Sequence, residues 1–245
     1  METIFVQNQD SLTNALKLPR GVTAIVGGGG KTTLMLRLAR ELGALGARVI
    51  VTTTTNIFPP DGIPTLTNAT LQDAETALDG ERVICLGNPS KDGKLSAPDV
   101  LIDQMQQIAD YVLVEADGAK RLPLKAPAEH EPVIPPETKL VVAVAGLDAL
   151  GKPIRETVFR PELYAALCGK TIEETVTTQD IATVLAHPSG QRKGVTDGIR
   201  FAVVLNKADD ASMKAAALEI ATQLRQSTTE RVLIASLGGV AAGLT

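Results

Sequence analysis

Short apolar runs alternate with helical patterns along the 245-residue chain. Seven of the runs have the length and the β-branched content that are typical of buried strands. They are Val22–Val26, Arg48–Thr55, Arg82–Gly87, Tyr111–Gly118, Lys139–Gly146, Phe201–Asp209 and Arg231–Gly239. Strands that alternate with helices form βαβ units, which assemble into a mostly parallel sheet. The pattern therefore predicts an α/β fold in which ligands bind beyond the carboxyl ends of the strands.

Two helices stand out from the periodicity of their apolar residues. After the first strand, Leu34, Leu38, Leu42 and Leu45 recur at helical spacing, and Gly46 is expected to end this helix. The other helix is expected between the last two strands, where five apolar residues share one face: Ala216, Ala217, Ile220, Ala221 and Leu224.

Two segments interrupt the alternation of strands and helices. Arg121–Pro136 is rich in proline and cannot form a long helix or a central strand. Residues 152–195 predict two or three short helices, one of them capped by Thr177 or Thr178. We interpret the chain as a single P-loop-like nucleotide-binding domain over residues 1–245, with a helical and proline-rich insertion at about 119–195.

Composition supports a buried aliphatic core, since 44% of the residues are apolar and only 2% are aromatic. The net charge of −4 argues against a nucleic-acid-binding surface. No apolar run reaches the length of about 18–20 residues that a membrane span requires, and the first ten residues do not resemble a secretory signal. Cys85 and Cys168 lack metal-binding spacing and are expected to be buried fillers. We expect a cytoplasmic protein that binds neither nucleic acid nor membrane.

The first strand runs into the sequence VGGGGKTT, which is typical of a phosphate-binding loop. In the standard pattern G-x-x-x-x-G-K-[ST] the first glycine would stand where this chain has Ile25. A tighter loop, G-x-x-G-K-[ST], also binds phosphate and resembles the form found in Mur-type ligases. The residues expected to bind phosphate are Gly27, Gly28, Gly29, Gly30, Lys31, Thr32 and Thr33. The alternative is a glycine-rich turn without a ligand.

An acidic pair ends the strand Tyr111–Gly118. P-loop proteins hold Mg²⁺ with a carboxylate at such a strand end. Glu115 and Asp117 would share a face if the strand continues that far, because side chains alternate along a strand. Thr32, Glu115 and Asp117 are therefore the predicted metal ligands. The alternative is a solvated strand end that carries two acids.

A third motif, N-K-x-D, follows the strand that begins at Phe201. In GTP-binding proteins this motif reads guanine, and Asp209 would accept hydrogen bonds that adenine cannot donate. Asn206 and Lys207 complete the motif, and Ser236 stands where such proteins carry a small S-A type motif. The sequence favours GTP over ATP as the cofactor, together with Mg²⁺. Alternatively, Asn206 or Asp209 only caps a helix.

Two further clusters are candidates for chemistry. The hydroxyls of Thr52–Asn56 could approach Mg²⁺ or the terminal phosphate, or could simply end a β-branched strand. His130 lies between Glu129 and Glu131, an arrangement that could support proton transfer. A single histidine in a proline-rich loop is otherwise structural or exposed. His130 joins Lys31, Glu115 and Asp117 as a candidate catalytic residue.

Taken together, these motifs resemble those of the YqeC family. The resemblance rests on VGGGGKTT, VTTTTNIFPP, VLVEADGAKRLPLKAPAEHEPVIPP, VAGLDALGKP and VVLNKAD, which span most of the chain in order. It implies a P-loop NTPase-like three-layer fold and a cytoplasmic role as an accessory protein of selenium-dependent molybdenum hydroxylases. A molybdenum hydroxylase or a cofactor-maturation protein would be the partner. The resemblance also implies importance for Lys31, Glu115, Asp117, Lys125, Glu129, His130 and Glu131, without assigning roles.

Three functions follow from these residues. The first is Mg²⁺-dependent binding and hydrolysis of a nucleotide, with GTP preferred, by a maturation factor. The second is phosphoryl or nucleotidyl transfer to a selenium species or a molybdopterin-type cofactor. The third is nucleotide-gated binding without hydrolysis.

Overall fold

The computed structural model describes residues 1–7, 9–227 and 229–239, in which strands and helices alternate. The strands are β1 (Glu2–Val6), β2 (Gly21–Gly27), β3 (Val49–Thr53), β4 (Asn56–Ile57), β5 (Thr65–Leu66), β6 (Val83–Leu86), β7 (Asn88–Pro89), β8 (Leu95–Ser96), β9 (Tyr111–Glu115), β10 (Leu124–Lys125), β11 (Thr138–Gly146), β12 (Val158–Phe159), β13 (Arg200–Asn206) and β14 (Arg231–Ala235). The α-helices are α1 (Leu12–Leu16), α2 (Lys31–Ala44), α3 (Leu71–Gly80), α4 (Ile102–Ile108), α5 (Ile154–Thr157), α6 (Pro161–Cys168), α7 (Thr178–Ala186) and α8 (Ala211–Gln223).

Nine of these strands form one parallel sheet in the order β1-β14-β13-β11-β2-β9-β3-β6-β5. The strand β2 lies in the middle, between β11 and β9. Its pairing with β9 sets Ile25 opposite Glu115, so the acidic strand end lies beside the start of the glycine loop. The predicted α/β fold with a mostly parallel sheet is confirmed.

Helices cover both faces of this sheet. Successive side chains of a strand point to opposite faces, so each strand contributes apolar residues to cores on both sides. In β2, Ile25 packs in the core that includes α1 and α2. Ala24 and Val26 enter the opposite core with α6, α7 and α8, and Val22 packs with α3 and α4. The result is the three-layer arrangement typical of P-loop NTPases. No helix among the described residues combines the length and apolar character needed to cross a bilayer.

The predicted helices are present. The first, α2, begins at Lys31 directly after the glycines, and Gly46 follows its end with a φ of 85°. Thr177 caps α7, and Asp180 completes its capping box. The region 152–195 contains the short helices α5, α6 and α7, as expected.

The proline-rich segment forms only the two-residue strand β10, which pairs with β12. The loop at 190–193 ties it down: Gln191 donates to the Lys125 carbonyl at 2.8 Å, and Lys193 donates to the carbonyls of Ala128 and Glu129 at 2.6 Å each. The span 119–195 also contains β11, a central strand of the sheet. The parts of this span outside the sheet are therefore residues 119–137 and 147–195.

Two strands of the main sheet were not predicted. The strand β1 pairs with β14, and β5 pairs with β6 at the opposite edge. Phe5 of β1 is exposed, and β5 has only two residues. Both edge strands lack the continuous apolar run that marks the buried strands.

The glycine loop is packed against backbone on two sides. Gly27 has a φ of 95°, and a Cβ added there would overlap the Val144 carbonyl of β11. Gly29 has a φ of 74°, and its Cβ would overlap the backbone of Gly146. Glycine is therefore required both for backbone conformation and for close packing.

We predict that Gly27→Ala destabilises the protein far more than Gly46→Ala. Both positions have positive φ, but a Cβ at Gly46 would meet no atom within 4 Å. The control variant should therefore lose about 1 kcal/mol from left-handed strain alone, and Gly27→Ala about 3 kcal/mol or more. Urea unfolding measures both losses. Equal losses would contradict the packing of the loop against β11.

Candidate functional site

The first three N–H groups of the glycine loop bind acceptors within the protein. Gly27 donates to Asp117 Oδ2 at 3.0 Å, Gly28 to the Val144 carbonyl at 2.9 Å and Gly29 to the Leu122 carbonyl at 3.0 Å. The sequence predicts a loop whose successive N–H groups all face an anion. In the structure the N–H groups of Gly27, Gly28 and Gly29 already donate to acceptors within the protein, so they are not available to an anion.

The open donors lie at the start of α2. The N–H groups of Gly30, Lys31, Thr32 and Thr33 donate to no acceptor among the described residues. Gly30 stands at the N-cap and has no side chain to cap the helix. Four free donors at the positive end of a 14-residue helix provide the elements of an anion site.

Lys31 faces both acids of the neighbouring strand end. Its ammonium donates to the Gly27 carbonyl at 2.7 Å and lies 3.1 Å from Asp117 Oδ1 and 3.7 Å from Glu115 Oε1. Burial lowers the pKa of Lys31, but the charges of Asp117 and Glu115 together outweigh that effect, so the pKa lies above its usual value. The two acids predicted from the strand end are thus close to one buried, protonated lysine.

Asp117 extends this contact into a chain of alternating charges. Lys125 lies 3.3 Å from Asp117 Oδ2 and 2.5 Å from Glu131 Oε2. Glu131 also pairs with Arg160. From Glu115 through Lys31, Asp117, Lys125 and Glu131 to Arg160, three acids and three bases therefore alternate. The bases stabilise acids that burial would otherwise disfavour.

The effect is strongest on Glu131. Burial raises the pKa of this carboxyl, but hydrogen bonds and charges from Arg160 and Lys125 outweigh that effect and bring the pKa down to about 2. Glu115 differs, because burial raises its pKa despite the nearby charge of Lys31. The ion-pair chain thus contains carboxyls of different proton affinity: the pKa of Glu115 is raised and that of Glu131 is lowered.

Thr32 and Glu115 are suited to hold Mg²⁺. The Thr32 hydroxyl donates to Glu115 Oε2 at 2.8 Å, so two hard oxygen donors meet beside the start of α2. Asp117, the third predicted ligand, has one oxygen on the Gly27 N–H and the other beside Lys31. Across the described residues, no three His, Cys, Asp or Glu side chains are grouped to bind a metal by themselves. A Mg²⁺ ion here would take the rest of its ligands from phosphate and water.

Asn206 connects the N-K-x-D motif to the glycine loop. Its amide nitrogen donates to the Gly29 carbonyl at 2.7 Å, and its amide oxygen accepts from the Leu237 N–H at 2.9 Å. Asp209 is exposed and accepts a hydrogen bond from Ser236. Asp210, and neither Asn206 nor Asp209, caps α8. The capping alternative for this motif is therefore wrong.

Lys207 lies beside the loop with a φ of 64°, and its ammonium pairs with Asp148 at 2.6 Å. It is the one member of the motif that lines the cleft at the carboxyl end of the sheet, as far as the described residues go.

All four hydroxyls of Thr52–Thr55, at and after the end of β3, have hydrogen-bond partners within the protein. Thr52 donates to the Leu86 carbonyl, Thr53 to the Glu115 carbonyl and Thr54 to the Val133 carbonyl, at 2.8–2.9 Å. Thr55 lines the cleft. These bonds favour the structural interpretation for Thr52, Thr53 and Thr54, whereas Thr55, whose hydroxyl lies 3.3 Å from the Thr53 hydroxyl, also faces the cleft.

His130 does not join the cluster of acids and lysines. It is exposed, as is Glu129, and neither residue lines the cleft. Glu131, the next residue, is buried within the ion-pair chain. Of the sequence AEHEP, only the second acid thus lies at the candidate site.

The cysteines lie outside the site. Burial raises the pKa of both Cys85 and Cys168 to about 12, so both thiols stay protonated at neutral pH. This supports their expected role as fillers and not as nucleophiles.

The site opens into a cleft of about 670 Å³, within the range of small-molecule sites. Beyond Thr55 the lining of the cleft includes six aromatic and basic residues that we call the cationic end: Phe58, Lys94, Lys120, Arg121, Phe159 and Arg160. Sequence reasoning missed all six as site residues. They come from four separate segments, and no local motif joins them.

The fold is a three-layer α/β arrangement with a parallel central sheet, consistent with a P-loop NTPase-like fold. A family model described as YqeC protein matches residues 23–162. The chain is also similar to a protein of Escherichia coli (strain K12) described as "Uncharacterized protein YqeC". The two are 33% identical over 227 residues, which cover 88% of this chain and 87% of that protein. The chain therefore belongs to the YqeC family.

We predict that Glu131→Gln flattens the dependence of stability on pH. Because the folded-state pKa of Glu131 is about 2, its contribution is complete above the ordinary value of 4.5 and is lost as pH falls towards 2. At pH 7 the variant should lose about 3 kcal/mol, and its difference from the wild type should shrink across this window.

Urea unfolding between pH 2.5 and 7 measures the effect. Glu129→Gln is the matched control, because Glu129 is exposed and forms no salt bridge with a described residue. It should change stability by less than about 0.5 kcal/mol. Parallel pH profiles for Glu131→Gln and the wild type would show that the ion pairs do not lower the pKa.

Proposed function

We propose that this protein binds a nucleoside triphosphate with Mg²⁺, prefers GTP and hydrolyses it. The observation that carries the proposal is the convergence of four free N–H donors at the start of α2 with Lys31 and Thr32. Phosphate oxygens would accept from these donors, and the positive end of the helix would stabilise their charge.

Lys31 would contact the outer phosphates from its place beside the loop. The adjacent acids keep its ammonium protonated. Thr32 and Glu115 would hold Mg²⁺, which would neutralise charge that develops on the phosphates during hydrolysis. Asp117 would act as a positioning residue, because its oxygens hold the Gly27 N–H and face two lysines.

The preference for GTP rests on Asp209. Its carboxylate is exposed and oriented by Ser236, so it could accept hydrogen bonds from the ring N–H and amino group of guanine. Adenine would leave those acceptors unpaired. Asn206 would keep this base-reading turn at a fixed distance from the phosphates through its bond to Gly29.

A second candidate function is phosphoryl or nucleotidyl transfer to a small molecule such as a selenium species or a molybdopterin-type cofactor. The cationic end of the cleft favours it, since a hydrolase acting on water needs no such surface. His130 gives no support, because it lies outside the cleft. The third candidate, binding without hydrolysis, predicts nucleotide affinity without turnover.

The accessory role rests on the family resemblance. We propose that nucleotide binding serves the maturation of a selenium-dependent molybdenum hydroxylase in the cytoplasm, through contact with the hydroxylase or a cofactor-maturation protein. The residue range of the family match includes the glycine loop, both acids and the cationic end.

We predict that the protein binds mant-GTP at least tenfold more tightly than mant-ATP when Mg²⁺ is present. Asp209→Asn should reduce this preference to near unity, because the amide cannot accept from both guanine donors. Asp210→Asn is the matched control, since asparagine also caps helices well and should preserve α8. Fluorescence titration gives each Kd.

Lys31→Ala should weaken binding of both nucleotides by tenfold or more, which corresponds to about 1.4 kcal/mol. Equal affinity of the wild type for the two nucleotides, or a preference for ATP, would remove the guanine assignment. Unchanged binding by Lys31→Ala would remove the phosphate assignment.

We predict that cells lacking this protein produce the hydroxylase polypeptide but with reduced selenium content and activity. Restoring the wild-type chain should restore both, whereas Lys31→Ala should not. Elemental analysis of the purified hydroxylase measures the result. Full selenium content in its absence would exclude the accessory role and leave nucleotide binding unaffected.

A further inference from the structure

The cationic end is positively charged in a chain of net negative charge. Six cations and three carboxylates line the whole cleft, although the chain carries a net charge of −4. Two of the three carboxylates, Glu115 and Glu131, are already paired with Lys31, Lys125 or Arg160. The same pairs neutralise Lys31 and Arg160, and Lys207 pairs with Asp148. Lys94, Lys120 and Arg121 then face one further carboxylate of the lining, Asp61, so the cationic end keeps a net positive charge.

Three of its cations lack an acidic partner. Lys94, Lys120 and Arg121 form no salt bridge with any residue in the described ranges. Lysines and arginines that only solubilise a surface are scattered among acids, whereas these three converge on one cleft. An anion bound here would supply the missing partner for each.

Two phenylalanine rings hold these cations in place. Lys94 and Arg121 lie 5.3 and 5.0 Å from the centre of the Phe58 ring. Lys120 lies 5.2 Å from the centre of the Phe159 ring, and Arg160 lies 4.5 Å from it. Contact with a ring face limits the freedom of a long side chain, so a ligand would find these charges partly ordered.

The backbone at these cations is strained. Lys120, Arg121 and Arg160 have φ values of 47°, 62° and 64°, in the left-handed region that non-glycine residues rarely adopt. The surrounding structure must enforce this conformation, and such strain clusters where ligands bind. Here it aims three charges into the cleft from two separate segments.

The cationic end is also distinct from the expected nucleotide position. Lys207 follows β13, whereas Phe58 lies beyond β3. These strands are four places apart in the sheet, about 19 Å at the usual strand spacing. The α2 terminus lies between them, after β2. The base and the cationic end would thus lie on opposite sides of the phosphates.

We infer that the cationic end is a second anion site, which binds a small phosphorylated co-substrate next to the terminal phosphate of the nucleotide. Arg121 and Lys120 are its main contacts, together with Lys94, which shares the Phe58 ring with Arg121. This inference rests on the proposed function for its position relative to the nucleotide, but the charges and rings that define the site do not depend on it.

Pyrophosphate is the probe, titrated by calorimetry into protein saturated with a non-hydrolysable GTP analogue and Mg²⁺. We expect one pyrophosphate to bind per chain without displacing the analogue. The double variant Lys120→Asn with Arg121→Asn should weaken the binding of pyrophosphate at least tenfold and change the Kd of the analogue less than threefold. Asparagine tolerates left-handed backbone, so these changes should not disturb the fold.

The matched control is Lys17→Asn with Lys152→Asn. It removes the same charge from two exposed lysines that do not line the cleft, and Lys17 is also left-handed, with a φ of 46°. This control should bind pyrophosphate like the wild type. Lys94→Ala is a second test on a separate segment of the chain, and it should also weaken pyrophosphate binding.

Three results would overturn the inference. The first is that pyrophosphate only competes with the analogue, and the second is that the control variant loses as much pyrophosphate binding as the double variant. The third is that the double variant loses analogue binding and pyrophosphate binding to the same extent. If the wild type binds no nucleotide, the proposed function fails separately. Pyrophosphate is then titrated alone. Binding retained by Lys31→Ala and lost in the double variant would still support the site, whereas the reverse would exclude it.

Discussion

The candidate site depends on the contacts of the Asp117 carboxylate with the glycine loop and two lysines. One of its oxygens accepts the Gly27 N–H and lies 3.3 Å from Lys125, and the other faces Lys31. Removing a partner from such a buried cluster leaves an uncompensated charge. This one side chain therefore contacts the glycine loop, the start of α2 and the proline-rich segment at the same time.

This dependence extends to the cleft. Through Lys125 and Glu131 the ion pairs reach Arg160, which lines the cationic end. Lys31 and Arg160 thus belong to one electrostatic network that runs from Glu115 to Arg160, although they lie on separate segments. Because charges in a poorly solvated network respond to each other strongly, a change at either end alters the balance at the other. The site and the cationic end are best regarded as one electrostatic unit.

The local parts of this arrangement could be predicted from sequence. Buried strands with continuous apolar runs, such as β2 and β9, predicted the sheet, and strand ends placed Glu115 and Asp117 beside Lys31. The long-range parts could not. Arg160 reaches Glu131 from 29 residues away, and no periodicity encodes that contact. Nor could the internal bonds of Gly28 and Gly29 be foreseen, because they depend on how Val144 and Leu122 approach the loop. The edge strand β1 has only a short apolar run, Ile4–Val6, and was missed.

The pairing of β1 with β14 has a consequence for how the chain folds during its synthesis. These strands are more than two hundred residues apart in sequence, yet they form adjacent members of the sheet. When the ribosome has released β1, its hydrogen-bonding partner does not yet exist. Contacts between distant segments form slowly because a long loop must close first. One edge of the sheet therefore stays incomplete until β14 has been made, and β1 is the element most exposed to wrong pairing in that interval.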